Sequence, residues 1–121
     1  MKSKNLPDSF RNAYHGIRKT VSEERNFKIH LFMGLLAVAG CILFQVDTFL
    51  FVWVIFAIFS VLALELLNTA IEALTDLICG KNIHPLAKKA KDAAAAAVLL
   101  ASVQAVAVAG AVAYSILKRY A

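Results

Sequence analysis

Three acids and an amide follow the apolar run Phe49 to Leu64: Glu65, Asn68, Glu72 and Asp76. At about 100° per residue they fall within a stripe roughly 80° wide, so a helix carries all four on one face. Ionised groups beside hydrocarbon are costly and must find partners, which is why they usually mark an ion, proton or metal site. Carboxylates so placed can hold a hard divalent cation through oxygen, and one of them can take a proton from a hydroxyl. The competing reading is a purely structural hydrogen-bonded acid; two acids with an amide between them on one stripe make it the weaker one.

If the substrate is ATP, its phosphates must be held by something other than a known loop. No GxxxxGK[ST] phosphate loop occurs in the chain, and the glycine-rich, HRD and DFG signatures of protein kinases are missing too. Magnesium and lysine then have to do the holding, and the dyad Lys91 and Asp92 lies within reach in sequence. Lys91 has its own bland reading, a cationic anchor at a membrane surface. His15 and His30 read more readily as interfacial packing or headgroup contacts than as catalysts.

The elements that position these groups follow from composition. The 121 residues suit one domain, 1–121, and 60% are hydrophobic, above the usual share of about 45–50% in soluble chains. The chain therefore reads as an integral membrane protein. A first span is expected at 29–46, where Asp47 and Thr48 can cap the next helix. The second is expected at 49–79, with Gly80 suiting its end, and the third at 85–117, with His84 and Pro85 marking the restart. The opening of the chain is polar and charged, unlike a cleavable signal peptide. Cys41 and Cys79 lie in or beside apolar helices without metal-ligand spacing and read as spectator thiols.

Ahead of the first span, Leu6, Phe10, Tyr14, Ile17 and Val21 recur at helical spacing, so an amphipathic surface helix is expected at 6–22, with Pro7 and Asp8 in its first turn. Seven Lys or Arg precede the first span, none lies in the first connection, four lie between Lys81 and Lys91, and two follow the last span. By the positive-inside rule the N-terminus, the second connection and the acidic stripe face the cytoplasm. The net charge of +5 fits orientation and attraction to anionic lipid, with no nucleic-acid module present. Small residues such as Ala101, Ser102, Ala105 and Ala109 in the third span allow close helix approach. Three spans enclose a polar pocket poorly, so a homo-oligomer is expected. A second functional class stays open on these residues, a small proton-coupled exporter or channel subunit. It asks for a carboxylate near the midplane, whereas Glu65 begins the cytoplasmic part of its helix.

The run Leu64 to Glu72, then Asp76, His84-Pro85-Leu86-Ala87 and Ala90-Lys91-Asp92-Ala93-Ala94, preceded by Glu24-Arg25-Asn26-Phe27, resembles the prokaryotic diacylglycerol kinase family. It is most similar to the Gram-positive branch that phosphorylates undecaprenol. The likeness covers nearly the whole chain from Phe10 onward.

The resemblance implies an all-α integral membrane fold: three transmembrane helices plus an N-terminal amphipathic surface helix, assembled as a homotrimer with shared active sites. It implies an ATP- and Mg²⁺-dependent lipid kinase of the bacterial cell membrane. Glu65 would be the catalytic base, with Asn68 beside it. Glu24 and Glu72 would hold the metal, and Asn68, Asp76, His84, Lys91 and Asp92 would contact the nucleotide. Asn26, Lys28 and His30, together with Glu65, would line the lipid's path. One departure is that Ala93 to Ala97 are all alanine, where the family commonly has a glycine or serine, so no hydroxyl is offered to substrate there. Undecaprenol is the expected substrate and diacylglycerol the alternative.

Overall fold

The computed structural model describes residues 4–121; Lys2, one of the N-terminal cations counted above, lies outside them. Four helices follow in order: α1 (Leu6–Glu23), α2 (Arg25–Leu43), α3 (Thr48–Cys79) and α4 (Pro85–Tyr120). Of these, α2, α3 and α4 are long and apolar enough to cross a membrane. The described residues are all-helical, and the chain is a multi-pass membrane protein.

The start of α1 is set by Asn5, whose Oδ1 accepts the Asp8 N–H at 3.0 Å, with proline in the first turn. Leu6, Phe10, Tyr14 and Ile17 are exposed along the helix, while Thr20 is buried and donates to the Gly16 carbonyl at 2.8 Å. Glu24, at φ −104 and ψ 114, breaks the helix. Helix α2 therefore begins at Arg25, four residues ahead of the expected Ile29, and the polar residues Arg25, Asn26 and Lys28 belong to the spanning helix itself.

That helix also stops at Leu43 and not at Val46. Gln45 adopts φ 49, its N–H bonds the Ile42 carbonyl at 3.2 Å, and the Val46 N–H bonds the Cys41 carbonyl at 2.9 Å. These two bonds form a Schellman motif, with glutamine where glycine is usual. The guanidinium of Arg119, at the far end of α4, donates to the Phe44 carbonyl and, at 3.2 Å, to that of Gln45, satisfying carbonyls that the helix end leaves unpaired. The expected capping by Asp47 and Thr48 does not occur. Asp47 takes the cap position at φ −49 without a side-chain bond, its carbonyl alone receives the Phe51 N–H, and Thr48 is already helical.

Helix α3 is the spine. Its buried residues Val54, Ala57, Val61 and Glu65 form one stripe, and the 32-residue helix is about 48 Å long, well beyond a hydrocarbon core of about 30 Å. Against it pack Phe27, Gly34 and Cys41 of α2, spaced seven apart, and Ala94, Val98 and Ala101 of α4. Gly34 permits the close approach of α2, because a Cβ there would lie 3.0 Å from Ile58 Cγ2. Since α3 packs on both α2 and α4, the outer two helices diverge around an apolar cleft of about 540 Å³ lined by His30, Ala37, Cys41, Ala105 and Ala109 among others. Gly80, at φ 59 and ψ −129, ends α3, a backbone that L side chains avoid. His84 Nδ1 accepts the Leu86 N–H at 3.1 Å to start α4, with Pro85 in the first turn.

The two left-handed positions make opposite predictions. Gln45→Gly should stabilise the detergent-solubilised protein by about 1 kcal/mol, and Gly80→Ala should destabilise it by about 1–3 kcal/mol. Reversible unfolding titrations of both variants read these shifts; a stabilised Gly80→Ala protein would contradict the turn geometry.

Candidate active site

Four side chains of α3 descend from the packed interior to the α3–α4 turn. Glu65 is buried, only 6% exposed. Asn68 and Glu72 are half-buried, and Asp76 is exposed. From Glu65 to Asp76 the helical rise covers about 16 Å, so the stripe samples very different surroundings along one face.

At the buried end, His30 Nε2 of α2 stands 3.3 Å from Glu65 Oε1. It is the one cation-capable group of the described residues within ion-pairing distance of Glu65. One turn further on, Asn68 Nδ2 donates to Glu72 Oε1 at 3.1 Å, so the amide and the second acid do share a face. Thr69 and Thr75 direct their hydroxyls to the Glu65 and Glu72 backbone carbonyls and leave the carboxylates to other partners.

At the turn, Lys91 Nζ meets Asp76 Oδ1 at 2.6 Å and Lys88 Nζ meets Asp92 Oδ2 at 2.5 Å. Lys91 also lies in the field of Glu72. Asp76, His84, Lys88, Lys91 and Asp92 surround a cavity of about 290 Å³. Four of the five residues expected at the nucleotide thus come together, although Lys91 and Asp76 face each other and His84 spends Nδ1 on capping; the fifth, Asn68, lies outside this cavity and bonds Glu72. Ala94, in the all-alanine segment, is buried against α3 with Val98 and Ala101, which explains the absence of polar side chains on that face: helix packing occupies it.

The remaining expected residues are placed apart. Glu24 is half-buried between α1 and α2 and receives the Lys28 N–H only through its backbone carbonyl. Asn26 and Lys28 are exposed on the first turn of α2. Two features escaped the sequence reading. The His30–Glu65 pair joins residues 35 apart with no local spacing rule, and Arg119 had been counted only as a flanking charge. Asn5, three residues before Asp8, carried a readable capping signal.

A magnesium ion can be accommodated by this donor set. Asn68 Oδ1 is buried with no hydrogen-bond partner, an orphan oxygen one turn from a carboxylate. Among the described residues no three His, Cys, Asp or Glu side chains converge on one point. Mg²⁺ does not need such a cage, since it is commonly held by one or two carboxylates with phosphate and water oxygens.

Fold and site together define a small helical membrane protein that grades from a buried carboxylate to a lysine-bearing turn. Comparison with known proteins makes this specific. The pattern of the prokaryotic diacylglycerol kinase family matches residues 11–113, and the chain belongs to that family of lipid kinases. It is 42% identical to the diacylglycerol kinase of Synechocystis sp. over 88% of this chain and 61% of that one. It is 45% identical to the undecaprenol kinase of Bacillus subtilis over 78% of this chain and 76% of that one. With the diacylglycerol kinase of Escherichia coli K12 the identity is 37% over the same two shares, 78% and 76%. The chain thus spans less than two thirds of the Synechocystis relative's length.

The Asp76–Lys91 contact is exposed, and exposed pairs contribute little to stability. Asp76→Asn should therefore leave the unfolding midpoint essentially unchanged; a clear loss in the same titration would make the pair a structural clamp on the turn.

Proposed function

We propose that this chain is an ATP- and Mg²⁺-dependent lipid kinase, transferring the terminal phosphoryl group to the hydroxyl of a membrane lipid. The observation that carries this reading is a buried carboxylate, Glu65, beside an apolar cleft and on the same helix face as an exposed lysine-bearing turn. A lipid hydroxyl needs a base at the hydrocarbon boundary, while a nucleotide needs cations at the water boundary. The stripe supplies both from one helix. Family membership turns that geometry toward phosphoryl transfer, and the exporter reading is not carried further.

Glu65 is the general base. As the lipid oxygen bonds to the γ-phosphorus, its proton passes to the Glu65 carboxylate, the bond to the bridging oxygen breaks, and ADP leaves. Glu24 and Glu72 are the groups that would hold Mg²⁺, with the unpartnered Asn68 Oδ1 beside Glu72, and the ion when bound would supply charge neutralisation at the phosphate oxygens. Lys91 offsets charge on the transferred group. Its pairing with Asp76 is an exposed one, cheap to exchange for a phosphate oxygen. Asp76, His84 and Asp92 complete the nucleotide end, and Asn26, Lys28 and His30 border the lipid's path.

Undecaprenol is the proposed acceptor, supported by the 45% identity to an undecaprenol kinase. Diacylglycerol is the second reading, supported by relatives of that name at 42% and 37%. The proposed assembly is a homotrimer whose neighbouring helices complete each site, because the diverging α2 and α4 leave the cleft open in one chain. The N-terminus and the α3–α4 turn are assigned to the cytoplasm by the positive-inside rule.

Purified protein in mixed micelles, offered undecaprenol and diacylglycerol separately, should phosphorylate undecaprenol faster and stop when Mg²⁺ is chelated. Glu65→Gln should lower kcat by about 10²–10⁴-fold, the worth of a general base, without altering oligomer size. Faster transfer to diacylglycerol reverses the substrate assignment, and an active Glu65→Gln protein removes the base assignment.

A further inference from the structure

The geometry points to His30 as the positioning residue for Glu65: its Nε2 stands at ion-pairing distance from Oε1 of the buried carboxylate, which orients the base and leaves Oε2 for the acceptor hydroxyl. This rests on the proposed kinase reading and adds to it a residue whose task is to act through the base rather than on substrate.

The Glu65 side chain is 8% exposed and that of His30 is 30% exposed. A polar group so buried is costly unless a partner faces it. The groups around it can be taken element by element. Glu72, Asn68 and Asp76 lie on α3 itself, and Asn68 Nδ2 is committed to Glu72. Helix α4 turns only Ala94, Val98 and Ala101 into the interior, and its cations Lys88 and Lys91 are taken up by Asp92 and Asp76. In α1, Lys19 faces Glu23 and Arg11 faces Asp8. Among the described residues, the one cation-capable group within ion-pairing distance of Glu65 is the His30 imidazole of α2, at 3.3 Å.

The placement is well supported mechanically. Phe27, one turn before His30, is 2% exposed, and Gly34, one turn after it, lets α2 approach Ile58 closely. Both fix the height and distance at which the ring meets α3. His30 also lines the apolar cleft, so the face of Glu65 it occupies adjoins the cleft where a lipid chain would lie. No bond is made or broken at His30 in this role. The proton from the hydroxyl passes to Glu65, and the imidazole fixes which oxygen receives it.

Two variants and one spectroscopic signal test this. His30→Leu keeps bulk but removes the polar partner, and should lower kcat roughly 10- to 100-fold, the order expected for losing a polar partner of a charged group, with the KM for ATP unchanged. His30→Gln, which restores an N–H at similar reach, should recover most of the loss. Unchanged kcat in His30→Leu, or a His30→Gln protein no better than His30→Leu, overturns the assignment. The ring ¹⁵N signals of His30 in the otherwise wild-type protein should move on Glu65→Gln substitution, and signals that stay in place overturn the pairing. A wild-type protein that phosphorylates neither lipid would sink the kinase reading, while the ¹⁵N comparison still decides the pairing.

Discussion

Glu65 occupies the last buried position of the stripe Val54, Ala57, Val61, Glu65, so a charge-bearing group ends the run of residues that hold the helices together. An unpartnered carboxylate there would cost several kcal/mol, and the helix supplying its partner has to pass within hydrogen-bond range. Much of the rest follows from that demand. Helix α2 begins at Arg25, which places His30 within its second turn and facing α3. Gly34 removes the side chain that would hold α2 away, and small residues on α4 let that helix close the opposite flank without adding polarity.

The same helix then has to leave the interior. Over about three turns, Asn68 and Glu72 bond to each other and Asp76 reaches the exposed turn. Electrostatic interactions weaken along that path as the effective dielectric rises. A base works best where its charge is poorly solvated and its partner fixed; cations that receive and release a nucleotide work best where exchange with water is cheap. The exposed pairs Asp76–Lys91 and Asp92–Lys88 are of the second kind. A single 32-residue helix can present both because it is longer than the apolar layer is thick.

Sequence periodicity made the helix count, the one-faced stripe and the glycine end of α3 readable, since each depends on residues within a few turns of one another. The boundaries of α2 were less readable for a physical reason. Apolarity marks where a helix meets hydrocarbon, whereas its ends are set by backbone hydrogen bonds, here the break at Glu24 and the Schellman motif at Gln45. A glutamine at positive φ carries no local signature, and the carbonyls it exposes are satisfied by Arg119, 74 residues away. The His30–Glu65 contact is hidden in the same way. A histidine in an apolar segment has many uses, and only the packing of α2 on α3 selects this one.

Arg119 and His30 stand at opposite ends of the cleft between α2 and α4, and they treat it differently. At the Arg119 end a guanidinium fastens α4 to the α2–α3 turn through two backbone carbonyls, so the two outer helices are tied there. Toward His30 no such bond joins them among the described residues, and α2 is held there by α3 and α1, with Gly34 and the contact to Glu65 on the α3 side. The tied end keeps the register of α2 on α3. That register is what sets His30 against Glu65, so the tie at Arg119 and the contact at His30 are two constraints on one helix. The first holds α2 in place along its axis, and the second uses that placement to fix the orientation of the base.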